Sequence, residues 1–422
     1  MEKLTAKLLS LLNIGNVSEI NENIIEKDPN GNEVTEKYLV QALLSSIKGK
    51  ADQSWLWIWR GAADYPSNPV YESLLTEFFK DQKKDPNKLN VLHGSIEIAN
   101  QMHAISKGLS THNVNSKSIN YYPYYLDYTS DYTLNLLNQR STPALNSKLR
   151  KLAVELMNQY DVFHFHFGTT LTFNYSDLPI LKAVKKPMVM HHWGSDVRMH
   201  SLALRTNPYA LVKDRNEERI IEKLKSLSSS IKHCIIPDYE LFPYVKDYYE
   251  QVHVVPSMID LTQYPSDANP SKNKLPLLVH APTSPSIKGT KYILEAVENL
   301  KADYKFEFKL VQGLSHQEAK EIYKKADLII DQLHIGSYGL FSVEAMALGK
   351  PVICWITDDM KSHYPKDLPI LSANPDTIKA TLETILKNLD MLPAIGKNSR
   401  IYSEKYHDAV VNSKIIKDIY TN

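Results

Sequence analysis

From residue 89 onward, short apolar runs ended by glycine or proline alternate with longer segments of helical spacing, and few folds accept that pattern. The runs LNVLHG (89–94), YDVFHFHFG (160–168), PMVMHHWG (187–194), HCIIP (233–237) and VHVVP (252–256) are interleaved with IEIANQMHAISKGL, NSKLRKLAVELMNQ and NEERIIEKLKSLSSSI. Strand and helix in alternation predict an α/β fold, a parallel sheet with crossover helices on both faces. After the polar segment DLTQYPSDANPSKNK (260–274) the alternation restarts with LPLLVHA, FEFKLV, DLIID, PVICW and LPILS as strands. Between them GTKYILEAVENL and SHQEAKEIYKKA read as helices. The predicted organisation is a first Rossmann-like unit over 89–256, a linker over 257–274, a second over 275–400, and a C-terminal helix over 401–422 that can pack back across both. Two doubly wound units leave a cleft between the carboxyl ends of their strands, where open α/β sheets bind ligands.

Residues 1–88 read instead as a helical appendage, on the spacing of TAKLLSLL and EKYLVQALLSSI. Within it Trp55, Trp57 and Trp59 alternate in SWLWIWR. Tryptophans so placed suit a membrane interface or a docking patch, and equally a packing face onto the next unit, which is the reading favoured here.

A formal charge of +1 removes the electrostatic footprint of a general nucleic-acid binder, so any anionic ligand must be met by local groups. The two cysteines, Cys234 and Cys354, lie in apolar runs, which predicts buried free thiols in a reducing compartment. No leader-like segment and no run near the roughly 20 apolar residues of a membrane span appears. The expectation is a cytoplasmic protein, with peripheral contact at the inner membrane face left open.

The chemistry concentrates in DQLHIGSYGLFSVEAMALGKPVICW (331–355). A helix opening near Gly339 and ending at Gly349 would leave the amides of Gly339, Leu340 and Phe341 without intrahelical partners, at the positive end of the dipole, a natural phosphate seat. Glu344 lies one turn deeper on the face of Leu340, within reach of a ribose attached to a diphosphate on the helix end. Taken alone it is equally an ordinary glutamate favoured by the dipole. Lys288 in IKG faces the start of another helix, an unfavourable place for a cation unless an anion sits between them. A solvated loop lysine is the alternative.

Together these segments resemble the nucleotide-sugar-binding half of glycosyltransferase family 4, retaining enzymes of the two-domain GT-B fold. The resemblance rests on IKG (287–289), GSYGLFSVEAMALGKPV (336–352), YDVFHFHFG (160–168), HHWGSDVR (191–198) and VHVVPSMID (252–260), and covers about residues 89–405. It implies two Rossmann-like domains facing a cleft, with Lys288 on the donor diphosphate, Glu344 on the ribose and the amides from Gly339 to Phe341 on the distal phosphate. It places the Gln312–Gly313–Leu314 turn against the base, and Gly94 and Ser95 of HGSIE near the donor or acceptor. It puts HHWGSD on the acceptor side. Within and beside that segment His192 and Asp196 are candidates for contacting sugar or acceptor, with a core or strand-end role equally open for each, and Arg198 is the candidate to reach across the cleft in place of a missing cation. Two positions depart from the family. Gly336 stands where a glutamate is usual, and Pro282, Thr283 and Ser284 occupy the area of a second cation, commonly arginine.

The implied activity is transfer of a sugar from a nucleotide donor, UDP first among bases, to a hydroxyl of a glycan, lipid-linked or protein acceptor. The donor is a co-substrate, and no cofactor is expected. A silent nucleotide-sugar-binding scaffold and a sugar-nucleotide epimerase are the rivals. His164 and His166 share a strand face, but no carboxylate or cysteine cluster accompanies them, so no metal is expected. GSIEIA has too few glycines for a dinucleotide fingerprint, and no nucleophile elbow appears.

Overall fold

The computed structural model describes residues 2–15, 33–50, 53–55, 57–58, 61, 65, 68–81, 84–123, 126, 128–265 and 273–421. The apolar runs form two parallel sheets. The first contains β1 (Leu89–Ser95), β2 (Val114–Asn120), β3 (Tyr132–Thr133), β4 (Val162–His166), β5 (Met188–His191), β6 (His233–Ile236) and β7 (Gln251–Val254). Their order is β3-β2-β1-β4-β5-β6-β7, and every neighbouring pair is parallel. The polar run VNSKSIN was not read as a strand in the sequence; it becomes β2.

The appendage has helices α1 (Glu2–Leu11), α2 (Glu33–Ile47) and α3 (Pro69–Asp81), and a small core of its own that includes Leu8, Leu43, Ile58 and Tyr71. Trp55 packs against both this core and that of the first sheet, and Trp57 packs against the appendage core. Residues 53–55 and 57–58 are helical, and Trp59 lies outside the described residues.

Helices α4 (Gln101–Ser110), α5 (Pro143–Gln159) and α6 (Glu217–Ser228) cover the first sheet. Helix α5 starts where Thr142 accepts from the Leu145 amide, with Pro143 at its first position, and α6 starts on the Asn216 side chain. Leu149, Leu156, Ile220 and Leu224 from these two helices enter the core of one face.

The second sheet holds β8 (Leu277–His280), β9 (Glu307–Leu310), β10 (Leu328–Ile330) and β11 (Val352–Ile353) in the order β11-β10-β8-β9, again parallel. Its helices include α7 (Thr290–Leu300), α8 (His316–Lys325), α9 (Leu340–Ala347), α10 (Ile378–Lys387) and α11 (Leu392–Tyr406). Helix α8 opens on a capping box between Ser315 and Glu318. LPILS, expected as a strand, makes one isolated bridge, Ile353 to Leu371.

The chain then returns. Asp408 bridges Ile259, and α12 (Ala409–Thr421) lies on α4 of the first sheet. A Cβ at Gly108 would sit 2.2 Å from the Ala409 carbonyl oxygen, so glycine is what lets the two helices approach. Linker residues 266–272 lie outside the described residues. Cys234 and Cys354 are buried free thiols. Among the described residues no helix is long and apolar enough to cross a membrane.

Candidate functional site

Loops leaving the carboxyl ends of strands from both sheets enclose a cleft of about 310 Å³. Lys288, Gly339, Leu340, Phe341 and Glu344 line it from the second unit, and Arg198 and Lys213 from the first. This is where two parallel sheets were expected to leave a ligand space.

Three pieces of the second unit meet there. Lys288 ends a single helical turn, Pro285–Lys288, and Gly289, at φ 77°, swings the chain into α7. The Lys288 ammonium lies 2.6 Å from Asp331 Oδ1, at the end of β10, whose other oxygen accepts from Ser342 Oγ at 2.6 Å. That buried carboxylate aims the lysine at the start of α9, since a Cβ on Gly339 would stand 3.8 Å from Lys288 Nζ. Gly339 caps α9 without a side-chain hydrogen bond, so the first amides of that helix stay available to a ligand.

Glu344 is one turn into α9. Its Oε1 accepts from the Tyr264 hydroxyl at 2.8 Å and pairs with His316 Nε2 at 2.6 Å. Both bonds fall on one oxygen of a residue that lines the cleft, which leaves Oε2 without a hydrogen bond among the described residues. Neither partner was read from the sequence. Tyr264 follows the linker's first residues and His316 opens α8, so only the folded chain brings them to Glu344.

The first unit contributes charge. Arg198 lines the cleft, but its Nε and Nη2 are held by Glu240 at 2.6–3.0 Å. Lys213, in the loop before α6 and open to the cleft, has no ion pair among the described residues. Burial of its ammonium, then Lys288, then Arg198 hold its pKa below the ordinary lysine range. Lys213 thus joins Lys288 and Arg198 in placing positive charge on one cleft. The sequence reading missed it because ALVKDRN carries no motif.

Other candidates lie elsewhere. His192 and Asp196, read as contacts to sugar or acceptor, are buried and do not reach the cleft. Asp196 accepts from the Trp193 and Gly194 amides at 3.1 and 2.9 Å and from His192 Nδ1 at 2.6 Å, while His192 Nε2 bonds the Tyr249 hydroxyl at 2.8 Å. The pair holds the turn after β5. Burial pushes the Asp196 carboxyl up, but His192 and these amides outweigh it and hold the pKa below the usual range. Gly94 and Ser95 also lie away from the cleft. Ser95 borders a separate hollow of about 290 Å³ and donates to Thr170 O at 2.8 Å. Gly313 turns the chain at φ 71°, and Leu314 packs on the second unit's core; neither lines the cleft.

Gly336 has φ 86°, and a Cβ there would lie 2.5 Å from Thr357 Cγ2. Its carbonyl accepts from the Thr357 amide at 2.9 Å. The preceding carbonyls of His334 and Ile335 accept from Asn207 Nδ2 of the first unit at 2.7 and 3.0 Å. The loop is built around glycine and stitched to the opposite unit, so a carboxylate side chain has no place at 336.

No family model and no curated protein matches the sequence. Solved structures do match. Sucrose-phosphate synthase from Thermosynechococcus elongatus aligns with 79% of this chain and 98% of its own, at a TM-score of 0.55 and 12% identity. HepE of Anabaena in complex with UDP-glucose aligns over 79% and 99%, at 0.54 and 12%. A glycosyltransferase from Rickettsia africae aligns over 79% and 98%, at 0.57 and 13%. With a parallel sheet of seven strands and another of four facing one cleft, this chain has the α/β, two-domain GT-B fold.

Proposed function

We propose that this protein is a glycosyltransferase that takes a sugar from a nucleoside-diphosphate donor, UDP first among bases, and passes it with retention to a hydroxyl of a glycan, lipid-linked or protein acceptor. One observation carries the reading: Lys288, the open end of α9 and Glu344 converge on a single cleft between the units. In this reading the diphosphate rests on the amides from Gly339 to Phe341 beside Lys288, and Oε2 of Glu344 takes the ribose hydroxyls. Lys213 supplies the second cation that the sequence lacks near Pro282, from the opposite side of the cleft. Stabilising the departing charge is usually the largest catalytic term, and here two lysines and a helix end meet it without a metal ion in the step. Gly336 offers no side chain, so the acceptor hydroxyl enters over bare backbone. The UDP-glucose in the similar HepE structure supports the choice of UDP.

The test is release of free nucleotide from a panel of UDP and GDP sugars by the purified chain, with and without candidate acceptors, with Lys288→Ala and Glu344→Ala as controls. Turnover lost in both variants supports the reading. Binding that needs Glu344 but never leads to turnover would favour a nucleotide-sugar-binding protein without transfer, the outcome Gly336 makes worth testing. Failure of the wild-type chain to bind any sugar nucleotide would remove both.

A further inference from the structure

Four histidines have no part in that reading. Strand register sets His93 of β1 opposite His164 of β4, and His166 of β4 opposite His191 of β5. Strand alternation puts them on the sheet face of Val91, Val162 and Val189, which α4 and α12 cover, and all four are buried.

Their protons can be followed. The Trp193 indole donates to His166 Nδ1 at 3.2 Å, which leaves the His166 proton on Nε2, donated to His93 Nδ1 at 3.0 Å. His93 then carries its own proton on Nε2, which has no acceptor. His164 meets the Tyr420 hydroxyl through Nδ1 at 2.6 Å, and its Nε2 has no partner; neither nitrogen of His191 has one. Buried polar atoms without partners are few in native proteins, and four such nitrogens sit in this one cluster. Neutral imidazoles are ligands for borderline transition-metal ions.

We propose that His93, His164 and His166 hold a divalent transition-metal ion of zinc's class, behind the cleft wall formed by Trp193. One ring nitrogen from each lies within 4.8 Å of the other two. Zinc–imidazole bonds of about 2.0–2.1 Å set tetrahedral ligands about 3.4 Å apart, so no pair has to draw in by more than roughly 1.4 Å, through side-chain rotation. Three neutral ligands leave a fourth position for water. When His166 Nε2 takes the ion, its proton moves to Nδ1, and the Trp193 indole, which stacks on His191 at a ring separation of 4.0 Å, loses its acceptor and turns. The sequence offered only the His164–His166 pair; the third ligand comes from the register of β1. This site is independent of the nucleotide reading and stands or falls separately.

The full chain, prepared without a histidine tag and stripped by chelator, is loaded with Zn²⁺ or Co²⁺, desalted and analysed for metal. About one ion per chain, a visible ligand-field band for cobalt and a change in indole fluorescence on loading are expected. His93→Gln and His164→Gln should cut retained metal at least roughly tenfold. His253→Gln, at the separate His233–His253 pair, should not. A wild-type chain with less than about a tenth of an ion and no cobalt band overturns the proposal whether or not the variants fold. So does full retention in folded His93→Gln and His164→Gln.

Discussion

Lys213 and Arg198 both put positive charge on the cleft wall, but Arg198 already has two of its nitrogens on Glu240, whereas Lys213 has no ion pair among the described residues and feels the charge of Lys288. A cation serves a diphosphate best when nothing else neutralises it. Lys213→Ala is therefore expected to lower kcat/KM for donor turnover by roughly 10–100-fold, about 1.4–2.7 kcal/mol, with little change in thermal stability. Arg198→Ala should act mainly the other way, lowering the unfolding midpoint because Glu240 is left half-buried without its partner. Steady-state kinetics and thermal melts on the two variants check the contrast, and equal kinetic losses in both would contradict it. A second expectation concerns Glu344. If Oε2 binds ribose, Glu344→Gln weakens UDP by about 1.5–3 kcal/mol, and removing the 2′-hydroxyl from the nucleotide costs much less in the variant than in the wild type. Calorimetric titration of UDP and its 2′-deoxy analogue into both proteins gives that cycle. Lys288 and Glu344 were legible in the sequence as cleft residues because position at a helix start is a local property. Lys213, Tyr264 and His316 were not, since nothing local distinguishes them. His192 and Asp196 could be read either way in the sequence because a polar turn motif at a strand end looks the same whether it faces a ligand or satisfies its own amides.

Helix α9 brings the amides and the carboxylate into one site, and the two glycines ahead of it, Gly336 in the loop and Gly339 at the cap, predict opposite behaviour. Gly339 is extended at φ −103°, and a Cβ would meet nothing closer than 3.6 Å. Gly339→Ala should leave stability within about 0.5 kcal/mol while the methyl group intrudes on the phosphate seat and weakens UDP binding. Gly336→Glu, which restores the residue usual in the family that the sequence resembles, should instead cost about 1–3 kcal/mol, because φ 86° and Thr357 both reject a side chain. Urea unfolding and nucleotide titration on the pair separate the two effects; a Gly336→Glu variant of unchanged stability with raised turnover would show that the loop relaxes. At this scale the sequence was readable where periodicity is strong. Strands β1 and β4 to β7 follow apolar runs, and α8 follows the helical spacing of SHQEAKEIYKKA. Strand β2 was invisible because Val114 and Ile119 are the only apolar residues of VNSKSIN, and what makes it a strand is its ladder with β1. LPILS failed as a strand for the converse reason: its apolar residues pack, but beyond one bridge no neighbour offers it a ladder.

Across the whole molecule the two units are joined by contacts that bound the cleft. Asn207 holds the loop before Gly336, the His316 amide donates to the Leu126 carbonyl, and the Tyr364 hydroxyl of the second unit donates to Asp238 Oδ2 of the first at 3.0 Å. Asp238 lines the cleft, with Glu240 and Arg198 on its own side and Tyr338 and Tyr364 facing it. Burial, then the Glu240 carboxylate, push its carboxyl up to about 7, against the hydrogen bond from Tyr364 and the charge of Arg198. A group whose pKa is raised on folding binds its proton more tightly in the native state. Its contribution is therefore full below about pH 4, where both states are protonated, and falls as pH rises towards 7, by at most about 1.4 kcal/mol per pH unit; above 7 it is flat. Other carboxylates impose their own acid dependence, so the informative quantity is the difference in unfolding free energy between wild type and Asp238→Asn. The amide keeps an oxygen for the Tyr364 hydroxyl but cannot ionise. The wild type should lose stability relative to the variant between pH 4 and 7 and hold a constant offset from 7 to 9. Urea unfolding across that range decides it, and a difference that stays level from pH 4 to 7 would mean that Asp238 ionises freely at the junction. Because the proton sits where the units meet, the same titration should loosen their contact, and small-angle scattering should report a larger radius of gyration at pH 8 than at pH 6 in the wild type but not in Asp238→Asn.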